Sequence, residues 1–290
     1  IMSEHPEDPR AQWLGCGAIG WGNGDEKKLA SIALTGGLDV IVDAMNRHRI
    51  YHGVQQEGCN AIKSLALDKN VNDIILSAGG AEAVLNAMKY GALGSHHQAI
   101  QLSGCGALVH LAVSHKNKDG IVAAGGIDAV LECMKKSGAN TRVLDNCCSV
   151  LINLSAGHVK NQALIAEAGA IDVLIRTIMA HPTQVMLLSK CCWALTNISE
   201  LLENRRRIVS ARGVEALVTA MQTHPTHWPV QWRGSMCLGM LASNSEHRAR
   251  IIKANGVEAL TKVVVSHPGN VHVCEAAANA LEKLKDTKND

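Results

Sequence analysis

The sequence is organised into short amphipathic stretches separated by brief polar or glycine-containing breaks. Apolar residues recur at i, i+3, i+4 and i+7, as in Ile127, Val130, Leu131 and Met134, which predicts a helix with one buried stripe. A glycine pair precedes this stretch, and it supplies either a left-handed backbone or a close approach that ends the preceding helix. The pattern predicts an all-α protein.

The same block, a glycine or alanine followed by an apolar residue, returns every 43–46 residues. Its six copies begin at Gly37, Gly80, Gly126, Ala170, Gly213 and Gly256. Each copy predicts three helices: a short one before the glycine, an amphipathic one after it, and a longer third one. A period of this size is typical of a helical solenoid, in which each repeat packs on its neighbours.

The repeat predicts a single solenoid over residues 1–290, with a partial repeat at 1–22 and a polar tail at 285–290. The six full repeats are predicted at about 28–67, 70–113, 117–156, 161–200, 204–243 and 247–284. Residues 1–22 align with the end of a later repeat. We therefore expect that the chain derives from a longer array that continues toward the N-terminus.

Three helices per unit, this period and a glycine between the first two helices resemble the armadillo repeat family. The segment from Trp193 to Ile198, WALTNI, is similar to the third-helix motif of importin-α armadillo repeats. The resemblance covers the whole chain at the level of the repeat. It implies an armadillo solenoid, a right-handed alpha-alpha superhelix whose third helices line a concave groove.

Charge and composition narrow the function classes. The 28 Lys and Arg residues against 26 Asp and Glu residues give a net charge of +2, which does not indicate nucleic acid or an anionic membrane as a partner. No apolar stretch is long enough for a membrane helix, so we expect a soluble protein without membrane insertion. No carboxylate pair or nucleophile–base set stands outside the repeat pattern, and we therefore expect no enzymatic activity.

Two motifs that resemble cofactor or metal sites are explained by the repeat. The glycines of Gly15 to Gly20 fit a dinucleotide fingerprint, but no strand precedes them and they align with mid-helix segments of later repeats. Five cysteines share one column of the third helix, which favours packing by reduced thiols. These are Cys16, Cys59, Cys105, Cys148 and Cys192. The sequence thus predicts no cofactor, no metal and a cytoplasmic location, with the nucleus as an alternative.

The outward positions of the third helices form the candidate binding surface. Four of the five tryptophans fall on them, and tryptophan dominates protein interfaces because it buries a large area with few rotatable bonds. The alternative is that these indoles lie across neighbouring third helices and complete the core. The candidate groove residues are Trp13, Trp21, Asp145, Ser149, Asn153, Ser189, Trp193, Asn197, Trp232, Met236 and Met240.

The family resemblance implies how such a groove holds a peptide: third-helix asparagines bind its main chain and tryptophans form side-chain slots. Asn153, Asn197 and Trp193 match those positions. Few acidic residues lie on the groove floor, which favours a mixed or apolar peptide over a polybasic one. We expect a protein-binding scaffold or adaptor. The alternatives are a structural module that self-associates through the partial N-terminal repeat, or a nuclear-import-type cargo adaptor.

Overall fold

The computed structural model describes residues 1–21, 26–90 and 97–285. Within these ranges it contains nineteen α-helices, one short 3-10 helix at Lys69–Val71 and no strand, which confirms the predicted all-α fold. The predicted polar tail, apart from Lys285, lies outside the described residues, as does the last residue of the predicted partial repeat.

The helices follow the predicted order of first, second and third helix. The first helices are α2 (Glu26–Leu34), α5 (Asn72–Ser77), α8 (His115–Ala123), α11 (Val159–Glu167), α14 (Leu202–Ser210) and α17 (Ser245–Lys253). The second helices are α3 (Gly37–Arg47), α6 (Gly80–Tyr90), α9 (Gly126–Lys136), α12 (Ala170–Ala180), α15 (Gly213–Thr223) and α18 (Gly256–Ser266). The third helices are α1 (Pro9–Gly20), α4 (His52–Leu65), α7 (His97–Leu111), α10 (Thr141–Ser155), α13 (Val185–Ser199), α16 (Trp228–Leu241) and α19 (Val271–Lys285).

The chain divides into two compact units, unit 1 at Ile1–Leu154 and unit 2 at Ser155–Asp290. In unit 1, third helix α4 packs against both α1 and α7. In unit 2, third helix α16 packs in the same way against α13 and α19. Each unit therefore presents a face built from successive third helices.

The two glycines of the pair have different structural roles. Gly125 has a φ of 86°, the left-handed conformation that ends α8. A Cβ atom at Gly126 would lie 2.7 Å from the carbonyl oxygen of Ile121, so this position serves the close approach of α8 and α9. Arg212 and Asn255 take the left-handed position in later repeats, with φ values of 67° and 62°.

A buried glutamine on the third helix ties down the end of the second helix. The side-chain amide of Gln231 donates hydrogen bonds to the carbonyls of Met221 and His224, each at 2.8 Å. Gln55 and Gln12 make the same pair of bonds in earlier repeats. These bonds satisfy carbonyls that a helix end leaves without partners. In all three cases the glutamine follows the histidine by seven residues, and one of its two bonds goes to that histidine's carbonyl.

No single helix in the described ranges is long and apolar enough to cross a membrane. The bent pair Lys28–Leu34 and Gly37–Arg47, whose helices meet at 71°, passes this test only when both helices are taken together.

Candidate functional site

An arginine lies between two tryptophans on the third helices of unit 2. The guanidinium carbon of Arg233 is 4.0 Å from the centroid of the Trp193 ring and 4.0 Å from that of Trp232. The Trp228 ring extends the row, 6.1 Å from Trp232 with 35° between the ring planes. Arginine stacks well on indole faces because its planar cation meets the negative face of the ring. The result is a continuous row of four side chains.

The neighbouring methionines continue this apolar surface. Met236 and Met240 are half-buried, and the Met236 sulfur lies 4.0 Å from an Arg233 nitrogen. The Met240 sulfur accepts a hydrogen bond from Ser199 at 3.1 Å. We call the surface formed by Trp193, Trp228, Trp232, Arg233, Met236 and Met240 the unit 2 face.

The positive charge of Arg233 has no carboxylate partner among the described residues. Burial lowers the pKa of Arg233, because the half-buried guanidinium has lost part of its hydration. Arginine nevertheless stays protonated in proteins. A guanidinium that stacks on rings through its faces can still donate to an anion through the N–H groups at its edge.

Unit 1 has a smaller aromatic surface of a different kind. Trp13, Leu14, Gly17, Trp21 and Glu57 line an open depression of about 410 Å³. The Trp21 indole nitrogen donates to a Glu57 carboxylate oxygen at 2.9 Å. That carboxylate also accepts hydrogen bonds from the side chains of Asn60 and Gln56. We call the depression residues the unit 1 face; its charge, unlike that of Arg233, is satisfied internally.

Several residues at the asparagine position of the third helices bind the preceding third helix. The side chains of Ser64, Asn153 and Lys283 donate to the carbonyls of Gly20, Val109 and Gly239, each 44 residues earlier. The Asn197 amide donates to the Ser155 hydroxyl at 3.3 Å. These bonds join successive repeats, so the position has a structural role in both units.

The cysteine column behaves as packing. All ten cysteines are free thiols and nine are buried. Burial is the main reason that the pKa values of Cys16, Cys59 and Cys237 rise to about 12. Thiols that stay protonated and inaccessible are poor nucleophiles.

Comparison with known proteins identifies the repeat. The family description "Armadillo/beta-catenin-like repeat" matches residues 158–200, which span helices α11 to α13. The chain has the armadillo-repeat fold. None of the curated proteins compared with the sequence matches it.

Solved structures extend the armadillo fold over most of the chain. An engineered protein is 25% identical, with a TM-score of 0.73, over 86% of this chain and 96% of that one. A designed armadillo repeat protein in complex with peptide (KR)4 is 19% identical, with a TM-score of 0.72, over 86% and 99%. Computationally designed armadillo repeat proteins for modular peptide recognition give 17% identity, a TM-score of 0.73, and coverage of 85% and 99%.

The candidate groove residues take different positions within the armadillo repeats. Trp193, Trp232, Met236 and Met240 come together in the unit 2 face. Trp13 and Trp21 belong to the unit 1 face, where Trp21 is 73% exposed. The remaining candidates are half-buried or buried: Asp145, Ser149 and Asn153 are half-buried, and Ser189 and Asn197 are buried. Their contact with a peptide stays a prediction.

The sequence pattern did not single out Arg233 or Trp228 among the armadillo positions. Arg233 stands next to the outward column and reaches the two rings through its long side chain. Trp228 lies one helical turn before Trp232, and this i, i+4 spacing was the available signal. Glu57 was also missed, because its burial beneath Trp21 depends on the packing of two repeats.

Proposed function

We propose that the chain is a non-catalytic scaffold that binds an extended segment of a partner protein, and that the unit 2 face is its principal contact. The armadillo fold and the peptide-binding designed proteins that share it support the general role. The stack of Arg233 between Trp193 and Trp232 carries the specific proposal.

The preferred ligand is a peptide with a carboxylate flanked by apolar side chains. Arg233 offers edge N–H groups to an Asp, Glu or C-terminal carboxylate, and such bonds are strong because both groups are charged. Trp193 and Trp228 are 39% and 50% exposed, so they provide apolar area on either side of the cation. Covering this area with apolar ligand side chains would be favourable.

A polybasic ligand of the nuclear-import type fits this surface less well. One designed neighbour was solved with the peptide (KR)4. Here the space between Trp193 and Trp232 is already filled by a cation of the chain itself. An incoming Lys or Arg would meet a like charge and would have to displace Arg233 from both rings.

The two asparagines already bind neighbouring helices in the free protein. Asn153 donates to Val109 and Asn197 to Ser155 in the free protein. Each amide nitrogen therefore has one N–H committed to the contact between repeats, and at most its second N–H is left to donate to a peptide main chain. We place most of the affinity on the aromatic residues and Arg233.

Selection from a displayed library of random peptides tests the proposal. The full chain is the bait, and Trp193→Ala, checked for helical content by circular dichroism, is used for counter-selection. We expect enriched peptides that carry an acidic residue next to aromatic or aliphatic ones and that lose binding to the variant. Enrichment of polybasic peptides, or equal binding to the folded variant, would refute the proposed function.

A second candidate is self-association through the unit 1 face, favoured by its exposed apolar surface. Leu14 and Trp21 on and after α1 are 65% and 73% exposed. Sedimentation of the wild type and of Leu14→Glu over a range of concentrations tests it. A dimer that dissociates in the variant supports this candidate, and a monomer at all concentrations rejects it.

We also propose a cytoplasmic location. Ten free thiols suit a reducing compartment, where disulfides are rare.

A further inference from the structure

Three buried cysteines from three different helices meet inside unit 1. Cys105 lies on α7, Cys133 on α9 and Cys147 on α10, and their sulfur atoms all lie within 4.8 Å of one another. The sulfurs of Cys105 and Cys147 are 3.5 Å apart. In the part of the chain that the structure describes, this is the only such cluster of potential metal ligands.

The other repeats show that packing alone does not require these three cysteines. At the register position of Cys133, the second helices of three other repeats have alanine: Ala44, Ala87 and Ala220. At the position of Cys147, four other third helices have glycine: Gly15, Gly58, Gly104 and Gly234. A methionine side chain fills the space against each of these glycines. Only Cys105 belongs to the common cysteine column.

At one junction between repeats, two further thiols, those of Cys133 and Cys147, therefore lie next to the column cysteine Cys105. One repeat later, the corresponding register positions hold Cys148, Thr177 and Cys191, with threonine in place of the middle cysteine. The three-cysteine arrangement is specific to the junction of Cys105, Cys133 and Cys147.

The spacing suits thiolate coordination of a metal ion. A Zn–S bond of about 2.3 Å in tetrahedral geometry places two sulfur ligands about 3.8 Å apart. The observed separations, 3.5 Å for one pair and within 4.8 Å for all, bracket that distance. Small side-chain rotations would bring the three sulfurs into position around one ion.

A cavity beside the cluster offers a route of entry for an ion. It has a volume of about 370 Å³, and Cys133, His97 and Gln101 are among its lining residues. Within the described ranges, the buried His97 Nδ1 and Gln101 Oε1 atoms have no hydrogen-bond partner. Buried polar atoms are usually paired, so these two atoms point to an occupant of the cavity.

We propose that Cys105, Cys133 and Cys147 form a binding site for a thiophilic metal ion, Zn²⁺ or Cu⁺. Both ions bind thiolate sulfur. Cu⁺ would be held by the three sulfurs alone. Zn²⁺ needs a fourth ligand, and a solvent molecule entering from the cavity would complete its coordination. Binding releases the thiol protons to solvent and involves no change of oxidation state at sulfur.

Metal titration of the full, reduced chain tests the proposal. The protein is stripped with a chelator, kept in a phosphine reductant, and titrated separately with Zn²⁺ and with Cu⁺ under anaerobic conditions. Co²⁺ serves as a spectroscopic substitute for Zn²⁺, because thiolate ligation gives a charge-transfer band. We expect about one ion bound per chain and a higher melting temperature with metal.

Two variants separate ligation from packing. Cys133→Ala installs the residue found in three other repeats, so we expect it to fold and to lose the bound ion. Cys191→Ala removes an equally buried cysteine from the register position of Cys147 in unit 2, and we expect it to retain the ion.

Three results would overturn the proposal. The first is that neither ion binds the reduced wild type. The second is that Cys133→Ala binds the ion with the affinity of the wild type. The third is a mass two hydrogens lower before reduction, with a Cys105–Cys147 crosslink in peptide mapping and no metal uptake after reduction. The library selection is independent of this site, so either proposal can fail alone.

Discussion

Arg233 in unit 2 and Glu57 in unit 1 occupy the same register position of the third helix, and both contact tryptophan side chains. Glu57 accepts hydrogen bonds from Trp21, Asn60 and Gln56. Arg233 stacks between two indoles and, within the described residues, has no carboxylate partner. The same place in the repeat therefore carries a satisfied anion in one unit and an available cation in the other. This difference is why we place ligand binding on the unit 2 face.

The stack of Arg233 on Trp193 should be measurable as a coupling free energy. In a double-mutant cycle with Trp193→Ala and Arg233→Ala, we expect about 1–2 kcal/mol of coupling in the free energy of unfolding, since the guanidinium is partly desolvated. Denaturant unfolding of the four proteins measures it. Additive effects of the two substitutions would contradict the stacking geometry.

The buried glutamine at the end of the second helix should contribute strongly to stability. Gln231→Ala removes the donors for the carbonyls of Met221 and His224, so we expect a loss of about 1–3 kcal/mol in the free energy of unfolding. Gln222→Ala is the matched control, because Gln222 is exposed on α15 and its loss should cost less than about 0.5 kcal/mol. Equal losses for the two variants would show that the hydrogen bonds add nothing.

Glycine should stabilise the chain at one arginine position and destabilise it at another. Arg212 has a φ of 67°, and a left-handed backbone costs a non-glycine residue about 1 kcal/mol or more. Arg212→Gly should therefore raise the free energy of unfolding by about 1 kcal/mol. Arg206→Gly, at an exposed site within α14, should lower it by about 1 kcal/mol. Thermal unfolding compares them, and the same sign for both would contradict the assigned backbone conformation.

Stability should fall in mild acid because of His110. Burial, and secondarily the charge of Lys63, lower the pKa of His110 below its ordinary value of 6.5. The unfolded chain then binds a proton more readily than the folded one, so this stabilisation is present above pH 6.5 and is lost as the pH falls below it.

Denaturant midpoints measured between about pH 7.5 and 5 test this, since they span the ordinary histidine pKa. His227 acts in the same direction, because burial also lowers its pKa. His110→Gln should flatten the pH dependence, whereas His115→Gln, at an exposed site on α8, serves as the control. An unchanged slope in His110→Gln would exclude His110 as a source.

Much of the fold could be predicted because the same pattern of glycine and apolar positions occurs in six repeats. The glycine at or just before the start of each second helix, together with the stripe of Ile127, Val130, Leu131 and Met134, predicts the order of the helices from the sequence alone. The hydrogen bonds of Gln231 to the end of the second helix were not predicted, because they depend on how the second and third helices pack.

The site was less predictable, because it depends on side chains that reach between columns. The sequence pattern groups residues that occupy the same register position in successive repeats, and Arg233 lies outside the outward positions that hold Trp193 and Trp232. The hydrogen bond from the Asn153 amide to the Val109 carbonyl also cannot be read from the sequence, because it depends on how two third helices pack. In the cysteine cluster, Cys133 comes from a second helix, and only packing brings it to the column residue Cys105.

A charge exchange between Arg233 and its ligand tests the central claim most directly. Peptides enriched by the selection are titrated against the full wild-type chain and against Arg233→Glu, each peptide with its acidic residue intact and with that residue replaced by lysine. We predict that wild type binds only the acidic form and that Arg233→Glu binds the lysine form better than the acidic one. If Arg233→Glu is folded but keeps the wild-type preference for the acidic peptide, the unit 2 face is not the site that binds the acidic residue of the ligand.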